Sequence, residues 1–349
     1  MGGVERIASQ LLSQPGSNES FLAIDAQYYN SFISHFGADS RHIIQLDCSS
    51  PFKALISIKK CISRVDPDII HTHARKEMVY VCLCNKKAIH VRTQHMAEIP
   101  RIPITRFEKA LLKNKVNRWV ATSHSLVDSY LKNRDYINMS KVSVIYNGAQ
   151  EGLERSVFNP SRRFCVIGRL TRQKGIDILI NEVSKLEEGI KEKICIDIWG
   201  EGEEYNTIIE MIDKLNLKSV FSYKGTTTCP SEVVSEYEAL LMPSRYEGLP
   251  LTLLECMSTG TPVATHDVGC IAEFIDTGVN GWIINDHYTW DDFLKENISV
   301  NHYYQMCRAA RSTYLKLFSL DKMRDEYYKL YKESIELTKE QTSQGVSHE

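Results

Sequence analysis

The sequence predicts an α/β protein built as two doubly wound domains facing a central cleft. Three observations carry that prediction. Short β-branched runs alternate with helical patterns over nearly the whole length. The alternation restarts after a polar stretch that begins near residue 150. The 349 residues also exceed what one hydrophobic core usually organises.

In the first half, strands are expected at Phe21–Ile24, His42–Leu46, Asp68–His73, Ile89–Thr93, Arg118–Thr122 and Val142–Ile145. Helical patterns fill the gaps, for example Phe52–Val65 and Ser125–Lys132. Strands separated by helices indicate parallel pairing through right-handed crossovers. The stretch Gln150–Arg162 contains Gly152 and Pro160 and reads as the interdomain linker. Strands then resume at Arg163–Gly168, Ile194–Trp199, Val220–Tyr223, Ala239–Met242, Pro262–Thr265 and Trp282–Ile284. A final helix near Leu320–Thr338 precedes a polar tail. The expected organisation is an N-terminal domain over 1–155, a C-terminal domain over 156–341, and a disordered tail over 342–349. Ligands in such folds sit outside the carboxyl ends of the strands.

Composition narrows the class. Apolar content of 43% and charged content of 25% are those of an ordinary globular protein. No run approaches the roughly 20 apolar residues of a membrane span. The start, Met1-Gly2-Gly3-Val4-Glu5-Arg6, lacks the apolar core of a signal peptide, so the expected location is cytoplasmic. The ten cysteines fit that compartment, and Cys82, Cys165 and Cys256 sit inside apolar runs as small hydrophobes. Net charge is −2, yet residues 1–160 carry 21 Lys+Arg against 14 Asp+Glu, leaving the excess of acid to the second half. Such asymmetry speaks of partners, not of fold. The densest basic segment runs from Arg101 to Arg118, with Ile104, Phe107, Leu111 and Leu112 at near-helical spacing. It reads either as a solvated amphipathic helix or as a peripheral contact with anionic lipid or a phosphorylated acceptor.

Two strand-to-helix turns are rich in chemistry. In Tyr237–Gly260, a strand ends at Met242-Pro243-Ser244 and a loop carries Arg245, Tyr246, Glu247 and Gly248. Pro250 suits the first turn of a helix that stops at Gly260, and free N–H groups at such a turn favour a phosphate. Glu255 lies among Leu253, Leu254, Cys256 and Met257; it either binds a ligand hydroxyl pair or faces a solvent seam or basic partner. The second turn, Val166–Gly175, places Arg169, Arg172 and Lys174 at a loop tip, where an arginine fork and a lysine point charge suit a diphosphate. A third turn, Trp199–Glu203, has glycines that allow close backbone approach. His71 and His73 share one strand face, with no third metal ligand evident, and a hydrogen-bonding role is favoured. Asp66-Pro67-Asp68 spells D-x-D but reads as a turn.

Taken together, GRLTRQKG, IWGEGEE, PSRYEGLPLTLLECMSTGTPV and GCIAEFIDTGVNGW resemble the retaining GT-B glycosyltransferases of family 4, in order and spacing over about residues 145–300. In the first half GGVER, DIIHTH, VRTQH and VIYNGA give a looser match. The resemblance implies two Rossmann-like domains and transfer of a sugar from a UDP- or GDP-linked donor to a glycan or lipid-linked acceptor. Surface polysaccharide synthesis, such as capsule or lipopolysaccharide assembly, is the implied setting. It implies that Glu247 contacts the donor sugar and Glu255 the ribose, while Arg169 and Lys174 clamp the diphosphate. Gly2, Gly3, Gly168, Gly200, Gly202, Gly248 and Leu249 would line the donor site. His95 would contact the donor sugar, and Glu273 lies in a related acidic segment. A hexosyltransferase working without metal or cofactor is expected, with no nucleic acid as partner. Location would be cytoplasmic or peripheral on the inner face of the plasma membrane.

Two departures stand out. The family begins with a central strand before the glycine-rich loop, whereas here the loop starts at Met1; the native start lies upstream, the sequence is trimmed, or the domain compensates for two open strand edges. Gly269-Cys270 stands where the family shows two glycines. The competing expectations are a GT-B nucleotide-sugar epimerase and a non-catalytic nucleotide-binding subunit.

Overall fold

The computed structural model describes residues 2–12, 20–36, 39–97, 104–156 and 159–345. The chain forms two compact units, one of Met1–Asn147 with Asp321–Glu349, the other of Gly148–Leu320. Both are α/β, and every strand pairing between named strands is parallel.

The first unit runs α1 (Gly3–Leu12), β1 (Leu22–Asp25), α2 (Tyr29–Phe36), β2 (Ile43–Leu46), α3 (Pro51–Val65), β3 (Ile69–Thr72), α4 (Arg75–Cys84), β4 (Ile89–Gln94), α5 (Arg106–Lys115), β5 (Arg118–Ala121), α6 (His124–Leu126) and β6 (Val142–Val144). Each strand falls where β-branched runs predict it. Helix α3 shows why its sequence folds locally. Ser50 caps it by accepting from the Lys53 amide, and Pro51 opens the first turn. It ends where Asp66 turns left-handed at φ 42°, so the D-x-D tripeptide is a helix stop.

The sheet of this unit is in two pieces. Strands β1 and β2 pair only with each other, while β3-β4-β5-β6 form a four-stranded sheet. Among the described residues no strand covers the second edge of β1 or of β3. Burial follows: β4 is buried at all six positions, whereas Ile69, Ile70 and His71 of β3 are half-buried.

The second unit runs β7 (Arg163–Ile167), α7 (Ile176–Ser184), α8 (Glu188–Lys191), β8 (Cys195–Trp199), α9 (Tyr205–Lys214), β9 (Phe221–Gly225), α10 (Pro230–Val234), β10 (Ala239–Met242), α11 (Leu251–Thr259), β11 (Val263–His266), β12 (Gly281–Ile284), α12 (Trp290–Lys295) and α13 (Val300–Leu317). Its single sheet has the order β12-β11-β10-β7-β8-β9. The chain leaves β7 toward β9 and returns on the other side at β10. The carboxyl ends of β7 and β10 therefore flank the switch point, where a doubly wound sheet opens a crevice. Fully buried Phe164, Ile196, Ile198 and Leu241 build the core beneath it.

Two boundaries differ from the sequence expectation. The division falls at Asn147/Gly148, not at 155/156, because the polar stretch is tied to the second unit. Gly152 donates to Ser258 Oγ at 3.0 Å, and buried Arg155 reaches the Tyr237 carbonyl at 3.1 Å. Polarity there marks hydrogen bonding to a neighbouring surface, not a free linker. The last helix, α14 (Leu320–Gly345), belongs from Asp321 to the first unit, not to the C-terminal domain. Helix continues through residues 342–345 of the expected tail, and 346–349 lie outside the described residues. Tyr327 Oη sits 2.9 Å from Thr93 Oγ1, and Tyr331 Oη 2.7 Å from His71 Nδ1.

Candidate functional site

At the β7/β10 switch point a recess is lined by Gly168, Arg169, Lys174, Pro243, Ser244 and Thr252, among others. Its floor is the ends of two buried strands, so the polar groups above it stand on rigid backbone. The loop after β7 passes through a 3-10 turn, Arg172–Lys174, and Gly175 at φ 65° hands it to α7. A β-carbon on Gly175 would lie 2.0 Å from the Pro243 carbonyl oxygen, so only glycine lets this loop meet the one after β10. Gly200, at φ 138°, is held the same way: a β-carbon there would meet the Gly168 carbonyl oxygen at 1.8 Å. Hydrogen bonds from Leu170 N to Glu201 O and from Glu204 N to Leu170 O, at 2.8 and 2.9 Å, lace these two turns together.

The chemistry converges on Glu247. Its Oε1 accepts from Lys174 Nζ at 2.6 Å and from Ser244 Oγ at 2.7 Å, with both charged side chains mostly shielded from solvent. Removing one partner would leave the other charge buried and uncompensated, a costly state. Arg245, next in the loop, forks onto Asp177 of α7 at 2.7 and 2.6 Å and holds that carboxyl below its usual range. Arg169 stands exposed at the rim, and its side chain makes no ion pair or hydrogen bond among the described residues. A cation, a lysine–carboxylate pair and a hydroxyl thus share one recess.

Each expected site residue can now be placed. Gly168, Arg169 and Lys174 line the recess, and Glu247 joins it through Lys174. Gly248 and Leu249 follow in the same loop, ahead of the uncapped N-terminus of α11 at Pro250. Glu255 is buried in α11, one helical turn beyond the lining residue Thr252. Gly200 and Gly202 brace the adjoining turn. Cys270 explains the departure beside Gly269: its buried Sγ–H donates to the Gly248 carbonyl at 3.2 Å and pins the Glu247 loop from behind. Sequence reasoning missed Ser244, Thr252 and the Arg245–Asp177 fork. Ser244 carried a signal, since it directly follows a buried strand.

His95, Gly2 and Gly3 lie in the first unit. His95 follows β4, and its Nε2 is 3.0 Å from His73 Nδ1 with the rings stacked at 5.3 Å. His71 packs 4.1 Å from His73 and bonds Tyr331 and Thr93, each at 2.7 Å. Burial holds all three imidazoles below their ordinary value, His73 at about 3, so they are neutral near pH 7. Gly3 opens α1, and the Gly2 amide is engaged by Glu5 Oε2 at 3.0 Å. The basic stripe is partly spent: Arg101 lies outside the described residues, Lys109 pairs with Asp135 at 2.9 Å, and Arg118 bonds Ser334. Among the described residues no helix is long and apolar enough to cross a membrane.

The architecture is that of two parallel α/β units, the second doubly wound with a recess at its switch point, and comparisons sharpen it. The family model for glycosyl transferases group 1 matches residues 154–312, and that for Glycosyltransferase Family 4 matches residues 26–151. The Anabaena HepE structure in complex with UDP-glucose superposes with TM-score 0.78 at 15% identity, over 95% of this chain and 96% of that one. Together the two models cover most of the chain, and its fold is that of the GT-B glycosyltransferases. An uncharacterized glycosyltransferase of Methanocaldococcus jannaschii is 29% identical over 62% of this chain and 60% of its own length. A poly(ribitol-phosphate) alpha-N-acetylglucosaminyltransferase of Staphylococcus aureus is 33% identical over 35% of this chain and 24% of its own. An O-antigen biosynthesis glycosyltransferase of Escherichia coli is 28% identical over 40% and 42%. The matches thus span between about a quarter and three fifths of these relatives.

Proposed function

We propose that the chain transfers a hexose from a nucleotide-diphosphate sugar to a hydroxyl of a glycan or lipid-linked acceptor, with retained anomeric configuration, in surface polysaccharide synthesis. The observation that carries this is the convergence of Arg169, Lys174 and Glu247 at the β7/β10 switch point. Arg169 and Lys174 meet the diphosphate and stabilise the charge that grows on the leaving nucleotide, without a metal or cofactor. Glu247, fixed by Lys174 and Ser244, faces the donor sugar. Glu255 takes the ribose hydroxyls, and the backbone at Gly248 and Leu249 adds amide donors. His95, neutral and held by His73, contacts the sugar as a hydrogen-bonding group. Relatives named for poly(ribitol-phosphate) and O-antigen synthesis support the polymer setting, and a fold match to a UDP-glucose complex supports the donor class.

The test is a labelled-donor assay with UDP- and GDP-sugars against glycan and lipid-linked acceptors. Labelled glycoside with retained configuration is expected. Donor epimerised in the absence of acceptor would replace transfer with isomerisation. The divided sheet of the first unit favours a second reading, a nucleotide-binding subunit without turnover. Nucleotide binding with no product on any acceptor would select it.

A further inference from the structure

The excess positive charge of the first half is gathered on one layer of helices. Helix α3 packs on α4, and α4 on α5, so three successive crossovers form a continuous layer. Lysine and arginine number four in α3, two in α4 and four in α5, against one acid in α4 and one in α5. Both acids are already occupied. Glu77 accepts from the His73 and Ala74 amides, and Glu108 forks with Arg75 at 3.0 Å. Lys59, Lys60, Arg64, Lys76, Arg106 and Lys113 are exposed and form no ion pair among the described residues.

The same layer displays large apolar side chains to solvent. Phe52 is 72% exposed, Phe107 70%, Leu83 48% and Ile56 38%, so each of the three helices contributes at least one. Their placement is set by helical spacing. Ala54 and Ile58 turn α3 inward, which puts Phe52, Ile56, Lys59 and Ser63 on the opposite face. Ile56, Lys59, Lys60, Ser63 and Arg64 edge a shallow open recess. In α4, Lys76 and Leu83 lie two turns apart on one face.

We propose that the outer face of the α3–α4–α5 layer is a docking surface for an anionic lipid bilayer, with the cations over phosphate headgroups and Phe52 and Phe107 entering the interface. Charge alone would suit any polyanion, including a phosphate-linked polymer. The exposed phenylalanines favour lipid over a soluble polyanion, because a bilayer rewards both chemistries on one broad face. This surface extends well beyond the α5 segment that sequence singled out, and it is independent of the transfer chemistry, since binding needs no donor.

The experiment is co-sedimentation of the full chain with phosphatidylcholine vesicles and with vesicles also containing phosphatidylglycerol. We expect binding to the anionic vesicles at least about tenfold tighter. Lys59→Glu with Lys60→Glu should lower it by about tenfold or more, and Phe52→Ser with Phe107→Ser should weaken it with net charge unchanged. Thermal unfolding matching the parent shows that each variant is folded; a variant that is not is replaced by Arg64→Glu or Phe107→Tyr. Equal sedimentation with both vesicle types overturns the proposal. So does binding that ignores the phenylalanines and is fully displaced by soluble polyphosphate, an outcome that reassigns the surface to a polyanion.

Discussion

The two units use the same kind of strand and helix but close their sheets differently. In the second, six strands form one sheet, and its switch point carries the loops that hold Lys174 and Glu247. In the first, the six strands of the described residues divide into two and four, and among those residues the second edges of β1 and β3 are open. A continuous sheet buries its central strands on both faces, as with β10 at all four positions. A divided one leaves β3 half-buried and draws α14 back across the length of the chain to Thr93 and His71. A precise constellation needs rigid support, and the unit with the unbroken sheet supplies it.

This contrast can be broken at several points. The largest effect is expected from Gly200→Val, which forces a β-carbon into the Gly168 carbonyl. It should cost about 3 kcal/mol or more and abolish the cooperative unfolding of the second unit. Retention of the parent melting profile would show that the laced turns are not rigid. Next, Lys174→Ala and Glu247→Ala should each lower kcat/KM by at least about tenfold, since each leaves its partner's charge buried. Near-normal turnover by either removes it from the site. A smaller difference should appear in amide hydrogen exchange. The amides of β1 and β3 should exchange at least about tenfold faster than those of β7 and β10. Equal protection would mean the open edges carry no penalty.

The smallest effect is a pH dependence confined to the first unit. His71, His73 and His95 have folded values below the ordinary 6.5, His73 at about 3. The unfolded chain therefore binds more protons across that window. Stability is fully present above about 6.5 and is lost as pH falls toward about 3. His71→Phe should flatten that acid slope in a urea titration. An unchanged slope would place the acid sensitivity elsewhere.

Much of this was legible in the sequence, for a physical reason. Strands such as Ala239–Met242 declare themselves by local apolar runs, and helix stops such as Gly260 by left-handed backbone. The cationic turn at Arg169 and Lys174 and the loop at Glu247 were visible because each directly follows such a strand. What stayed hidden depends on partners far apart in the chain. Nothing near Tyr331 announces His71, and Arg155 lies in a stretch that reads as a linker until Tyr237 supplies its acceptor. The Lys174–Glu247 bond was hidden for the same reason: both residues had been given to the ligand, and neither to the other.

The central claim is that one recess, built from the turns after β7 and β10, holds a nucleoside diphosphate. Titration calorimetry of UDP and GDP against the parent chain and against Arg169→Ala measures this most directly. One nucleotide should bind the parent, and bind the variant at least about tenfold more weakly. Equal affinity in the two proteins, or no binding of either nucleotide to the parent, would contradict it.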